Sequence, residues 1–397
     1  MPSKLRTLKD ANIDNKRVLL RLDLNVPLDE KGNITDDTRI KKSLATIKYL
    51  VEHGAKVIIM SHLGRPDGKV VDDLKLDVVG NALTKELGQK VVKLHECIGP
   101  EVEEFVMKLE PGEVCLLENT RFYHQEEEND EEFSKNLSKL GELYVSDAFG
   151  TVHRAHASTV GVANFLPSYA GLLLENEINV LSSLISNPQK PLCLVIGGAK
   201  IDTKLGLLVN FLPIADKIII GGALANTFLL AEGYEIGDSK CEKEKVDVAQ
   251  NFLLQAEKMR ENVLLPEDAI VSDEISNDAT IADVKVDGVT PGMKILDVGK
   301  ISIERFKEAL KGSKTIIWNG PLGLYEYIPF ENGTKEIAKE IADSNATTII
   351  GGGDTIDAIN KFGIDPERFS HISTGGGAML EFLQGDELPG VSVLEDK

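Results

Sequence analysis

Hydrophobic positions in the second half of the chain gather into short apolar runs, and each run stops at glycine. They are Leu194-Val195-Ile196-Gly197-Gly198, Ile218-Ile219-Ile220-Gly221-Gly222, Ile316-Ile317-Trp318-Asn319-Gly320, Ile349-Ile350-Gly351-Gly352-Gly353 and His371-Ile372-Ser373-Thr374-Gly375-Gly376-Gly377. A run of this length without polar alternation predicts a strand buried on both faces of a parallel sheet. In the first half the strand candidates are Val18 to Leu24, Val57 to Met60, Val114 to Leu117 and Leu143 to Ser146, with helical spacing between them at Arg39 to Glu52 and Phe133 to Leu140. Further helical patterns run from Lys243 to Glu261 and from Gly333 to Ser344. Strands alternating with helices imply βαβ units, hence an α/β fold with mainly parallel sheets.

At 397 residues the chain exceeds one ordinary core, which favours two domains of roughly 150 to 200 residues. Punctuation at Pro167 to Gly171, an apolar stretch from Leu172 to Ile185 carrying Glu175 and Glu177, and Asn187-Pro188-Gln189-Lys190-Pro191 together predict a linking helix. The expected organisation is a first domain over 1–170, the helix over 171–186, a second domain over 187–377 and a carboxy-terminal segment over 378–397.

A formal charge of −20 argues against nucleic acid and against anionic membrane surfaces as partners. Cys97, Cys115, Cys193 and Cys241 lack paired spacing and read as reduced cysteines of a cytosolic protein. The start, Met1 to Thr7, lacks a signal-peptide core, and no run approaches the roughly 18 apolar residues of a membrane span. A soluble cytoplasmic protein is therefore expected; separately, a monomer is expected. The acidic run Glu126 to Glu132 reads as a solvated surface segment.

Open parallel sheets bind ligands beyond the carboxyl ends of their strands, where glycine lets backbone amides approach phosphate. Neither a Walker A sequence nor a Gly-x-Gly-x-x-Gly fingerprint occurs, so the two common nucleotide folds lose their main signal. Gly197-Gly198-Ala199-Lys200 is followed by Lys204, which shares a face with Lys200 if a helix starts there; two ammonium groups over a helix amino terminus would hold a polyphosphate. Paired lysines on a helix are also ordinary solvent-facing residues. Asp354, after three glycines, suits a Mg²⁺ ligand and equally suits a helix cap, as does Thr355. In the first half Arg21, Arg39, Arg65, Arg121 and Arg154 fall in or beside polar turns, whereas the second half has three arginines in all. That bias suggests a focused anion pocket, with Asp23, Asn25 and His62 available to ligand hydroxyls, although each arginine taken singly reads as a surface ion pair. His153 and His156 lack further ligands at metal spacing.

Seven segments in this order resemble the phosphoglycerate kinase family over essentially the whole chain. They are Arg21 to Pro27, Ser61 to Pro66, Asp147 to Ser158, Gly197 to Lys200, Trp318-Asn319-Gly320-Pro321 with Glu326, Gly351 to Thr355, and Ser373 to Ala378. The resemblance implies two Rossmann-like, doubly wound domains facing across a cleft. It also implies reversible transfer of a phosphoryl group from 1,3-bisphosphoglycerate to MgADP, giving 3-phosphoglycerate and MgATP. Carried onto this chain, it makes Asp23, Leu24, Asn25, Arg39, His62, Leu63, Gly64, Arg65, Arg121 and Arg154 the phosphoglycerate set. The nucleotide set is Gly198, Lys200, Lys204, Gly222, Leu296, Asn319, Pro321, Glu326, Gly352, Gly353, Asp354 and Thr355, with Glu326 toward the ribose and Asp354 toward Mg²⁺. Arg39 and Lys200, with the backbone near Gly352 and Gly375, would flank the phosphoryl group in flight. Ile295 and Lys300, and the pair Asp202-Thr203, depart from the commonest family pattern. A nicotinamide dehydrogenase would share the architecture but needs the missing fingerprint. A two-domain solute-binding protein would close over an anion but would not need five glycine turns.

Overall fold

The computed structural model describes residues 4–396. They divide into two units, one formed by residues up to 182 and from 387 onward, the other by residues 183–386. The division falls inside the helix Leu172–Ser186.

In the first unit β1 (Arg17–Leu22), β2 (Lys56–Met60), β3 (Val91–Lys93), β4 (Val114–Leu116), β5 (Leu143–Asp147) and β6 (Ser168–Ala170) form one sheet in the order β3-β4-β2-β1-β5-β6. Every pairing in it is parallel. In the second unit β7 (Leu192–Ile196), β8 (Lys217–Ile220) and β9 (Val263–Leu264) lie on one side of the sheet. Three small-sheet strands follow in the chain, β10 (Asp268–Ser272), β11 (Ala282–Lys285) and β12 (Lys294–Val298), and then β13 (Thr315–Asn319), β14 (Thr347–Gly351) and β15 (His371–Ile372). The large sheet, also parallel throughout, runs β15-β14-β13-β7-β8-β9. This is the doubly wound α/β architecture that the apolar runs predict.

Burial explains why the runs are continuous. All five residues of β7 and of β13 are buried, because helices carry apolar stripes against the sheet. Ile40, Ile47 and Leu50 of the helix Thr38–Glu52 fall on one face and join Leu20 and Ile59 in the first core. In the second, Ile337 and Ile341 of the helix Asn332–Asp343 join Trp318 and Ile350. Each sheet begins in its middle and grows to both sides, so strand order reverses between β1 and β5 and between β7 and β13. Those reversals leave a crevice at the carboxyl ends of the two strands.

Three expectations need correction. The pattern from Lys243 to Glu261 is not one helix: it holds a short turn at Lys243–Lys245, the helix Val246–Gln255, and a kinked turn at Glu257–Asn262 in which Met259 has φ −130. The antiparallel sheet β11-β10-β12 leaves little trace in the sequence, since Ala282–Lys285 is largely exposed and carries no apolar stripe. Glu126 heads the acidic run yet is fully buried. The chain from Glu387 onward packs with the first unit: Gly390 N–H donates to Val152 O at 2.8 Å, and Leu394 is buried. That return starts later than 378 because the helix Gly377–Gln384 is held within the second unit. Asn210 donates to Leu383 O at 2.7 Å, and Gln384 to Thr203 O at 3.1 Å. Among the described residues no helix is long and apolar enough to cross a membrane, and all four cysteines are free.

Candidate active site

In the first unit the strand ends supply side chains. The backbone leaves β1 into Asp23 and Asn25, β2 into His62 and Arg65, β4 into Arg121, and β5 into Gly150, Thr151 and Arg154, and these residues with Arg39 line a cavity of about 110 Å³. Arg39 reaches it from the first turn of the helix Thr38–Glu52, where its Nη1 donates to Asp23 Oδ1 at 2.7 Å. Arg121 is nearly buried and donates Nη1–H to Gly64 O at 2.9 Å; burial holds its guanidinium below the usual arginine range. Four guanidinium groups converge here in a chain of charge −20. Such a set is matched to an anion with several oxygens.

His62 is buried, and burial first, then Arg21, Arg121, Arg39 and His156, push its imidazolium form well below the usual range. Its Nδ1 lies 3.1 Å from Arg21 Nη2. A guanidinium can only donate, so Nδ1 accepts and the neutral ring carries its proton on Nε2. His62 is therefore a hydrogen-bond donor at the cavity. His156 is likewise pushed down, to about 4, chiefly by burial.

Three of the expected residues support the cavity without lining it. Leu24 and Leu63 are buried; the Leu24 amide donates to Ser61 Oγ at 3.0 Å, and the Gly64 amide to Asn25 Oδ1 at 2.8 Å. Arg21 is also no part of the cavity wall, being fully enclosed behind His62.

The second unit builds its site from backbone. One cavity of about 360 Å³ is lined by Gly198, Lys200, Lys204, Asn319, Gly352 to Thr355, and Gly376 and Gly377. The helix Gly353–Lys361, capped by Gly352, and the helix Gly377–Gln384, capped by Gly376, both start there. First-turn N–H groups lack partners within their helix, so these termini point positive dipoles and donors into the space. Lys200 is exposed in the turn before the helix Asp202–Phe211, and Lys204, within its first turn, is buried. The Lys204 ammonium donates to Asn319 Oδ1 and is pulled down to about 8 by burial, with Asp354 opposing the shift. The Thr355 hydroxyl accepts the Gly320 amide at 2.7 Å, tying the turn after β13 to the helix start after β14.

An adjoining, mostly apolar cavity of about 510 Å³ is lined by Gly198, Gly222, Leu296, Pro321, Glu326 and Asp354, among others. The turns around it touch backbone to backbone. A Cβ on Gly320, whose φ is +96, would stand 2.4 Å from Gly197 O, and one on Gly222, with φ +65, 2.7 Å from Gly198 N. The amides of Gly198 and Gly222 are used internally, on Pro321 O and Leu322 O. These two glycines thus let three strand ends pack together, and the amides offered to a ligand are those of the helix starts. Gly375 lies outside the cavity lining, buried, with its amide on Ser373 Oγ at 3.1 Å.

Asp297 is a structural residue the sequence does not advertise. Its buried carboxyl accepts from Gly333 N at 2.7 Å and Val298 N at 2.9 Å, and burial raises it to about 8. It fixes β12, and hence Leu296, against the start of the helix Asn332–Asp343. Among the described residues no group of three or more His, Cys, Asp or Glu could cage a metal ion. Asp354, exposed at the first turn beside the helix termini, is the one carboxylate among the residues lining this cavity.

Comparisons with known proteins agree with this geometry. The family model described as "Phosphoglycerate kinase" matches residues 8–386. A protein named phosphoglycerate kinase from Moorella thermoacetica is 48% identical over 98% of this chain and 99% of its own, and one from Dictyoglomus turgidum is 49% identical over 98% of each. The solved phosphoglycerate kinase structure from Coxiella burnetii superposes with a TM-score of 0.88 at 42% identity, covering 98% of this chain and 99% of that one. The one from Pyrococcus horikoshii gives 0.85 at 35%, covering 98% of each. With parallel sheets that reverse at two crevices, one rich in guanidinium and one in helix termini, and with this likeness along nearly its whole length, the chain belongs to the phosphoglycerate kinase family.

Proposed function

We propose that the protein transfers a phosphoryl group reversibly between 1,3-bisphosphoglycerate and MgADP, forming 3-phosphoglycerate and MgATP, with the acid in the first unit and the nucleotide in the second. The observation that carries this reading is the difference between the two cavities. The small one offers converging guanidinium groups and the His62 donor, suited to a short acid bearing a phosphate and a carboxylate. The other offers helix termini and two lysines suited to a polyphosphate, beside an apolar space suited to adenine, with Glu326 at hand for ribose hydroxyls.

Arg39 and Lys200 neutralise charge on the phosphoryl group as it moves, helped by amides at the start of the helix Gly353–Lys361. Asp354 would hold Mg²⁺ together with the nucleotide, and the ion would supply further charge neutralisation on the phosphates. The acceptor in the ATP-consuming direction is a carboxylate, ionised above a pKa of roughly 3 to 4 by analogy with α-carboxyls, so no general base is needed. His62, neutral and with Nδ1 occupied, binds and orients. Because the two ligand sets sit on separate units, transfer requires the units to close when both ligands are bound, which also excludes water from the acyl phosphate. The buried thiols fit a reducing, cytoplasmic setting.

The decisive measurement is a coupled assay of 3-phosphoglycerate phosphorylation with MgATP, with MgGTP in parallel. Turnover that saturates in both substrates is expected, with a kcat nearly flat above about pH 6.5, where the substrate phosphate is mostly dianionic. A kcat climbing tenfold per pH unit through neutrality, and losing that climb in His62→Gln, would show a base at work and overturn the mechanism.

A further inference from the structure

Behind the small cavity lies a chain of buried polar contacts that binds no ligand itself. Arg21 on β1 donates through three nitrogens: Nε to Ser158 Oγ at 2.8 Å, Nη1 to Leu22 O, and Nη2 to His62 Nδ1 at 3.1 Å. Ser158 then donates its hydroxyl to Glu126 Oε1, while its backbone N–H donates to Glu126 Oε2 at 2.9 Å. Thr120, next to Arg121, also donates to Glu126 at 3.3 Å. Arg21, Ser158 and Glu126 are at most 1% exposed.

The polarity of this chain is forced. A serine hydroxyl has one proton, and Glu126 takes it, so an Oγ lone pair faces Arg21. With Nε held, the planar fork is fixed and Nη2 is aimed at Nδ1, leaving the His62 proton on Nε2. Buried networks of this kind stiffen their members because every alternative leaves a donor unsatisfied. Resting on the reading of this cavity as the phosphoglycerate site, we propose that Glu126 is a positioning residue of the reaction: through Ser158 and Arg21 it sets the tautomer and orientation in which His62 meets the substrate.

The experiment is long-range ¹H–¹⁵N spectroscopy of the His62 ring in the full-length protein, without and with 3-phosphoglycerate, for the wild type, Glu126→Gln and Ser158→Ala. The wild type should show a neutral Nε2–H ring. Ser158→Ala, which keeps Glu126, should give a mixed tautomer and raise KM for 3-phosphoglycerate about tenfold, with kcat and KM for MgATP within about twofold. Glu126→Gln should do the same, and Glu126→Asp should restore part of the ring signature. A pure Nε2–H ring and wild-type KM in both Glu126→Gln and Ser158→Ala would overturn the proposal. A wild-type ring that 3-phosphoglycerate leaves unperturbed would instead overturn the reading of the cavity, whatever the variants do. If Glu126→Gln fails to fold, Ser158→Ala decides alone, since it deletes one oxygen.

Discussion

The two cavities solve anion binding by opposite means. In the first unit, ligand groups are side chains, Arg65, Arg121, Arg154 and His62 from the segments after strand ends and Arg39 from the start of a helix. In the second, the turns themselves are the site, with helix starts as donors and with Gly197, Gly222 and Gly320 packed so that a Cβ would meet backbone. Truncating a residue in the first removes a contact and leaves the scaffold standing. Adding one methyl at Gly197, Gly222 or Gly320 in the second pushes backbone into backbone.

The sharpest way to break this contrast is Gly320→Ala. The new Cβ would meet Gly197 O at 2.4 Å from a φ of +96, which costs about 1–2 kcal/mol for the backbone alone. Displacing several donors at once should lower kcat/KM by more than about a thousandfold and lower Tm as well. A variant with unchanged Tm in calorimetry and near-normal activity would refute the backbone-built description. Next in size, Lys200→Ala and Arg39→Ala should each lower kcat about a hundredfold with Tm unchanged, as loss of one preorganised donor does. Wild-type kcat in Lys200→Ala would remove that lysine from the moving phosphoryl group. Arg65→Ala should raise KM for 3-phosphoglycerate about tenfold and leave kcat nearly intact, the signature of a side-chain contact made equally in ground and transition states. A change in KM for MgATP instead would place Arg65 wrongly.

The smallest effect lies with Lys204, the one charged side chain sunk into the backbone-built cavity. Its ammonium is lowered to about 8 by burial in the free protein, and bound phosphate favours the charged form. Above that pH, nucleotide binding must therefore take up a proton. Affinity should weaken with rising pH above about 8 and stay level below it. Calorimetry in buffers of different ionisation enthalpy should find uptake near zero at pH 7 and approaching one proton at about pH 9. Equal uptake in Lys204→Met would assign the proton to another group.

The same contrast explains what could be read from sequence. Strands such as Leu192–Ile196 and Thr315–Asn319 are legible because burial on both faces removes every polar position. Arg65, Arg121 and Arg154 are legible because charge in a turn after a strand end has few structural uses. Glu126, Ser158 and Asp297 are not, because each acts through partners distant in sequence: Arg21 and Ser158 are 137 residues apart, and Asp297 and Gly333 are 36 apart. Glu126 is hidden further by its neighbours, whose charge suggests water where the fold has a core. The glycines are legible as a pattern but divided in purpose: Gly222 packs turns together and Gly352 opens a helix.

The return of the chain from Glu387 to the first unit has a consequence for its birth on the ribosome. Gly390 rests on Val152, in the segment that carries Thr151 and Arg154 of the small cavity, and Arg6 donates to Val393 O at 2.9 Å. The unit translated first is therefore finished last. The second unit, residues 183–386, has all its segments before the strap at Gly390 and Leu394 has left the exit tunnel, so it can fold while its predecessor still lacks a wall. Folding order is thus expected to run against synthesis order, and pulsed proteolysis of stalled nascent chains should find protection of residues 183–386 before that of residues 4–182. The reverse sequence of protection would mean that the first unit holds together without its final strap.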